Sequence, residues 1–323
     1  MRRAVILFNL GGPDSLDAVR PFLFNLFSDP AIIRLPQPLR WMVAQLISRS
    51  RDKTARDIYR RLGGKSPLLD ETRAQAVALE IALNREGSHS TRVFVAMRYW
   101  HPLTGETVAE VKKFAPDEIA LLPLYPQFST TTTASSSAAW QRAAHAAGLD
   151  APTFGVLSYP DHPAFVEAQA DLLRQHLRQA GAAPVRVLFS AHGLPQKIVD
   201  AGDPYPLEVA LSAKSIAVAA GLSVADWRVC YQSRVGPMKW LAPSIEEELR
   251  RAAQDKIGVV IVPVAFVSEH SETLVELDID YRVRAEALGV APYIRVPALG
   301  THATFIAGLA DLAQRAFEQQ GQL

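Results

Sequence analysis

The chain has 323 residues, 49% hydrophobic and 21% charged, which suits a packed globular protein of one large or two ordinary domains and excludes a mostly disordered one. Its 34 Lys and Arg against 33 Asp and Glu leave a net charge of +1, so nothing electrostatic favours nucleic acid as the main partner. The single cysteine, Cys230, excludes an internal disulfide framework, a cysteine zinc site and a cysteine-held iron–sulfur cluster.

Met1-Arg2-Arg3 and the apolar run 4–10 imitate a signal peptide, but Gly11-Gly12-Pro13-Asp14 ends the run early and no small-residue cleavage pattern follows. The run reads as a first β-strand. Further strands are expected at 92–97, 118–122, 185–189, 227–231 and 258–266, with helical patterns at 70–84, 164–179, 206–219, 243–254 and 302–319. Strands separated by helices predict parallel βαβ units and an α/β fold. The segment 148–161, with Pro152, Gly155 and Pro160, is the expected crossing between two lobes, and the last helix can pack on either. The longest apolar run, 257–267, is far shorter than the roughly 18 residues a bilayer span needs. A soluble, cytoplasmic protein is expected.

In open parallel sheets ligands bind beyond the carboxyl ends of the strands, so those ends are where chemistry is sought. The first strand runs into Asn9-Leu10-Gly11-Gly12-Pro13, whose glycines allow close backbone approach to a ligand without forming a dinucleotide fingerprint. The stretch 36–51 combines Leu39, Trp41, Met42, Leu46 and Ile47 with Arg40, Arg49 and Arg51, as in an amphipathic surface helix or a lip touching a membrane or greasy ligand. After the third strand come Tyr125, Phe128 and Ser129, followed by Thr130–Thr133. Their hydroxyls either cap the next helix or meet the polar edge of a flat ligand lying on the aromatics.

Ser190-Ala191-His192-Gly193-Leu194-Pro195 places His192 just beyond a strand, either as a histidine satisfied by loop backbone or as a base or metal ligand at a cleft mouth. No G-x-S-x-G elbow accompanies it. Tyr231–Pro237 is another loop after a strand, with Arg234 able to serve an acidic ligand or a nearby carboxylate. The last candidate region, 267–281, carries Glu269, Glu272, Glu276 and Asp280 at spacings that stack along one face of an α-helix, with Leu274, Leu277 and Tyr281 on another. The row has no interleaved Lys or Arg, and like charges so placed cost about 0.2–0.5 kcal/mol per pair. It is either a solvated acidic face or a path for a divalent cation, for which carboxylate and imidazole both suit Fe2+.

Eight segments in register resemble the ferrochelatase family: Asn9–Pro13, Tyr59–Pro67 with its Gly63-Gly64, Arg98–Thr104, Tyr125–Ser129, Ser190–Pro195, Gly202–Pro206, Gln232–Pro237 and Glu269–Tyr281. The resemblance implies a chelatase fold of two Rossmann-like lobes, 1–155 and 156–300, with a C-terminal helix in 301–323 and a porphyrin cleft between the lobes. It implies insertion of Fe2+ into protoporphyrin IX with loss of two protons, the last step of haem formation. A coproporphyrin or other tetrapyrrole chelatase and a non-catalytic porphyrin carrier are the alternatives. His192 and Glu272 would be the central pair, Glu269, His270 and Glu276 the metal path behind it, and Arg51, Tyr59 and Ser66 the contacts on the propionate side. Leu10, Tyr125 and Ser129 complete the expected substrate-binding set. Leu10 stands where some relatives have methionine or tyrosine, and Ser50 precedes Arg51 where paired basic residues are common. The cysteine-rich tail that holds an iron–sulfur cluster in some members has no counterpart, so no resident cofactor is expected. Peripheral contact with the inner face of a membrane is a further expectation.

Overall fold

Nearly charge-free runs form parallel strands buried on both faces, and amphipathic helices cover them. The computed structural model describes residues 1–85, 89–233 and 238–319. It comprises two units, one of Met1–Ser158 with the chain from Leu309 on, the other Tyr159–Gly308.

The first unit contains β1 (Arg2–Asn9), α1 (Val19–Phe27), α2 (Gln37–Arg61), α3 (Leu68–Asn84), β2 (Ser90–Met97), α4 (Thr104–Phe114), β3 (Glu118–Pro123), α5 (Thr133–Ala147) and β4 (Thr153–Gly155). Its sheet has the order β2-β1-β3-β4, all parallel. Ala4, Ile6 and Phe8 pack with Ile119 and Leu121 against Val108 and Val111 of α4 and Trp140 and Ala144 of α5.

The second unit contains α6 (Pro163–Leu177), β5 (Val185–His192), α7 (Gln196–Asp200), α8 (Tyr205–Ala219), β6 (Trp227–Gln232), α9 (Ile245–Asp255), β7 (Gly258–Pro263), a π-helix (Glu272–Asp280), α10 (Tyr281–Ala287) and β8 (Tyr293–Arg295). The final helix, α11 (Ala303–Gln319), begins in this unit and continues in the first. The second sheet repeats the pattern of the first, with order β6-β5-β7-β8, all parallel. Leu188, Cys230, Val259 and Ile261 pack against Ile245 and Leu249 of α9 and Leu277, Tyr281 and Ala285 beyond. The two sheets thus share a topology that no sequence repeat announces.

Three differences from the expected elements bear on function. β5 runs three residues further than expected, so His192 is its last residue, paired with Gln232 of β6, rather than part of a following loop. β7 stops at Pro263, which has no N–H, and the Phe266 N–H turns back to the Pro263 carbonyl at 3.2 Å. The expected α-helix over 267–281 is instead a π-helix over Glu272–Asp280, with Glu269 and His270 ahead of it. The edge strands β4 and β8 have three residues each, too few to show a period.

One buried carboxylate organises the carboxyl-end side of the first sheet. Asp29, just past α1, accepts from Arg98 Nη2 at 2.7 Å, the Tyr99 hydroxyl at 2.7 Å, Ser135 Oγ at 2.5 Å and the Ala31 N–H at 2.8 Å. Burial opposes its ionisation, but the Ser135 and Ala31 hydrogen bonds, the Arg98 charge and the Tyr99 hydroxyl outweigh that and hold it below the ordinary aspartate value. A depressed pKa stabilises the fold above the unfolded value of about 3.9, and that contribution is lost as pH falls through the folded value. Asp29→Ala, which leaves the Arg98 guanidinium without its anion, is expected to cost about 3–5 kcal/mol, read as a lower urea midpoint by circular dichroism.

Candidate active site

The site of the second unit is assembled where β5, β6 and β7 end. Strand pairing sets His192 beside Gln232, and the chain leaving β7 brings back Glu269, His270 and the π-helix. His192 Nδ1 lies 2.9 Å from Glu272 Oε2, and His270 Nε2 lies 3.7 Å from the same oxygen. Burial alone would lower the His192 pKa, but the Glu272 charge and hydrogen bond, helped by Glu276, reverse this and raise it above 6.5. Burial likewise works against ionised Glu272, and the two imidazoles outweigh it, so its carboxyl titrates well below the usual range. The pair is therefore an imidazolium–carboxylate pair over much of the accessible pH range. Its histidine contribution to stability is complete below about 6.5 and fades as pH rises through the raised value, while the Glu272 contribution is present above about 4.3 and fades as pH falls through the depressed one.

Glu276, one π-turn along, is raised by burial and the neighbouring Glu272 charge. It accepts from Gln232 Nε2 at 3.2 Å, from the Ser233 N–H at 2.9 Å and from the Ser233 hydroxyl. Ser233 reaches it from a left-handed backbone conformation, φ +61°, which serine adopts at a cost. Glu269 faces elsewhere. Its carboxylate takes Arg295 Nη1 at 2.8 Å, the Ala298 N–H at 3.0 Å and the Thr273 hydroxyl.

The acidic residues are thus neither a solvated face nor one file. Glu272 belongs to His192, Glu276 to Gln232 and Ser233, and Glu269 to Arg295. Asp278 takes Arg282 Nη2 at 2.6 Å and Arg295 Nε at 3.4 Å. Leu277 and Tyr281 reach the core as expected, but Leu274 is only partly buried and Val275 takes the buried position, because i→i+5 hydrogen bonding shifts the faces of the helix. No set of three His, Cys, Asp or Glu side chains among the described residues is arranged to hold a metal ion. Arg234 lies outside the described residues. Arg295 gave no sequence signal, since it stands on a three-residue strand, and Gln232 carried no assigned role although it lies inside a family motif.

The candidates of the first unit are placed differently. Leu10 follows β1 and packs with Tyr59 in a cluster around Val19, Phe22 and Tyr99. Arg51, on α2, holds its guanidinium 5.9 Å from the Phe27 ring centroid. Ser66 is buried, its hydroxyl accepting from the Leu68 N–H at 3.3 Å. The glycine pair makes room for protein rather than exposing backbone: a Cβ on Gly12 would meet Ser66 Oγ at 2.5 Å, and one on Gly11 would meet the Trp100 nitrogen at 3.0 Å. Tyr125 packs on the β-sheet core beside Trp140 and Ala144, while Phe128 stays half-buried. Ser129 forms the turn before α5, with Oγ accepting from the Thr131 N–H at 3.1 Å and its carbonyl accepting from the Thr132 and Ala134 N–H groups.

The ferrochelatase family model matches residues 2–317. A ferrochelatase of Phenylobacterium zucineum is 53% identical over 99% of this chain and 93% of its own length. One from Caulobacter vibrioides is 54% identical over 95% and 88%, and one from Wolbachia of Drosophila simulans 52% over 97% and 98%. Among solved structures, the sirohydrochlorin chelatase SirB of Bacillus subtilis in complex with cobalt aligns with a TM-score of 0.57 at 11% identity, over 99% of this chain and 97% of that one, a likeness of fold. Two four-stranded parallel sheets, a histidine at the end of β5 paired with a glutamate of the π-helix, and relatives at this identity agree, and the chain belongs to the ferrochelatase family.

Proposed function

We propose that the protein inserts Fe2+ into protoporphyrin IX, giving protohaem and two protons. The reading rests on the His192 Nδ1–Glu272 Oε2 contact of 2.9 Å in a chain of this family. Metalation needs two pyrrole protons removed and the ion stripped of water. With Nδ1–H donated to Glu272, Nε2 of His192 is the acceptor for a pyrrole proton in the fraction of molecules whose ring is neutral, and the Glu272 carboxylate stabilises the imidazolium that results. An imidazole nitrogen cannot hold a proton and a metal ion together, so the ion falls to the carboxylates. Glu272 and Glu276, with His270 beside Glu272, supply oxygen and nitrogen donors of the kind Fe2+ accepts. Glu269 is the weakest of the expected metal residues, because Arg295, Ala298 and Thr273 already occupy its oxygens. Arg51, Tyr59, Ser66, Leu10, Tyr125 and Ser129 remain the proposed porphyrin side, with Arg51 the charged member able to meet a propionate.

No resident cofactor is needed in this scheme; Cys230, the one cysteine, is buried in the core. Nucleic acid is no partner, in keeping with the net charge of +1. The apolar face of α2 is proposed to rest on the inner face of a cell membrane, with the protein otherwise cytoplasmic. Leu39, Trp41, Met42 and Leu46 are all more than half exposed there, alongside Arg40 and Arg49. No helix of the described residues is long and apolar enough to cross a membrane.

Anaerobic Fe2+ or Zn2+ with protoporphyrin IX, followed by absorbance, tests the reaction. His192→Ala is expected to slow metalation about 10²–10⁴-fold, the range for loss of a general base, with porphyrin binding retained. Because the His192 pKa is raised, the rate should climb with pH through a limb above 6.5, and Glu272→Gln should move that limb down. A limb unmoved by Glu272→Gln would contradict the pairing. Trp41→Ala with Leu46→Ala should weaken co-sedimentation with vesicles containing anionic lipid while leaving turnover on soluble porphyrin unchanged; unchanged co-sedimentation would contradict the membrane contact.

A further inference from the structure

Two buried polar side chains sit at the ends of β5 and β6. Ser190 and Gln232 are both 0% exposed, next to Ala191 and Cys230, also 0% exposed. Ser190 Oγ donates to Gln232 Oε1 at 2.6 Å. A glutamine amide has one accepting oxygen and one donating NH2, and the carbonyl and carboxylate on its far side can only accept, so its oxygen is left to the Ser190 hydroxyl. The NH2 then faces the π-helix, where Nε2 donates to the Glu272 carbonyl at 3.1 Å and to Glu276 Oε2 at 3.2 Å. Ser190 lies two residues before His192 on β5, and Gln232 is the partner of His192 across β5 and β6. The same pair of strands therefore presents His192 and grips the opposing helix at both of its working glutamates.

Burying such groups costs free energy unless they are bonded, and a methionine of similar length would fill the space without that demand. The amide does what methionine cannot, which is to hold one carboxylate and one carbonyl on consecutive turns. We propose that Gln232, oriented by Ser190, is a positioning residue that sets the π-helix against His192 and thereby governs how Glu276 handles the incoming metal ion. The inference rests on the ferrochelatase reading and adds to it a residue that meets neither porphyrin nor iron.

The test uses the whole chain with Zn2+ and protoporphyrin IX. Gln232→Met and Ser190→Ala are each expected to raise the KM for metal by about tenfold, the worth of a hydrogen bond to a charged group, with kcat and the porphyrin dissociation constant within about twofold. Ser190→Thr, which keeps the hydroxyl, should restore the wild-type value. In a Glu276→Gln background the effect of Gln232→Met on metal KM should largely vanish, because the two substitutions remove one interaction. A merely structural role would instead give additive effects, or a porphyrin dissociation constant rising in step with metal KM, and either result overturns the proposal, as does an unchanged metal KM in both single variants. Should Gln232→Met fail to fold by circular dichroism, Ser190→Ala and Ser190→Thr decide the matter alone. Wild-type protein that did not metalate at all would overturn the functional reading itself, a separate outcome.

Discussion

A parallel strand buried on both faces can offer chemistry only where it ends. In both sheets the central strands are sealed by helices, and the candidate polar side chains that those strands carry stand at the carboxyl edge. In the second unit that edge holds Ser190 and His192 on β5, Gln232 on β6 and, just beyond β7, the chain that becomes the π-helix. The His192–Glu272 pair depends on this arrangement. A histidine at a strand end is fixed by the sheet, and its partner must come from another element held in place by other means.

Those other means are charged and partly buried. Glu269 is anchored to Arg295 ahead of the π-helix, and Asp278 near its far end is anchored to Arg282 and Arg295. Arg295 thus ties both flanks of the helix to β8, while Leu277 and, just past its end, Tyr281 seat it in the core. Between the anchors Glu272 and Glu276 are left to His192 and to Gln232 and Ser233. The result is a carboxylate pushed towards ionisation beside one pushed towards protonation, two opposite proton affinities drawn from one residue type by surroundings alone.

Much of this was legible in the chain itself. The alternation of apolar runs and amphipathic segments indicated parallel units, and the family motifs singled out His192 and Glu272 before any coordinates. Less legible were features decided by distant neighbours. A π-helix and an α-helix share composition, so the spacing of Glu269, Glu272, Glu276 and Asp280 suggested one face where the structure gives Glu269, Glu272 and Glu276 separate partners. Arg295 stands far along the chain on a three-residue strand, and Asp29 is a lone aspartate in sequence whose four partners come from residues 31, 98, 99 and 135. The Gly11-Gly12 pair looked like backbone laid open for a ligand; the space belongs to Ser66 and Trp100.

The proposed chemistry turns on Glu272 holding His192 as a strengthened base with its proton on Nδ1. Nitrogen-15 NMR of the His192 ring across pH, in the intact protein and in Glu272→Gln, tests it most directly. Nδ1 is expected to stay protonated while Nε2 titrates above 6.5, and Glu272→Gln to bring the titration down. A ring that titrates at or below 6.5, or that carries its neutral-form proton on Nε2, would contradict it.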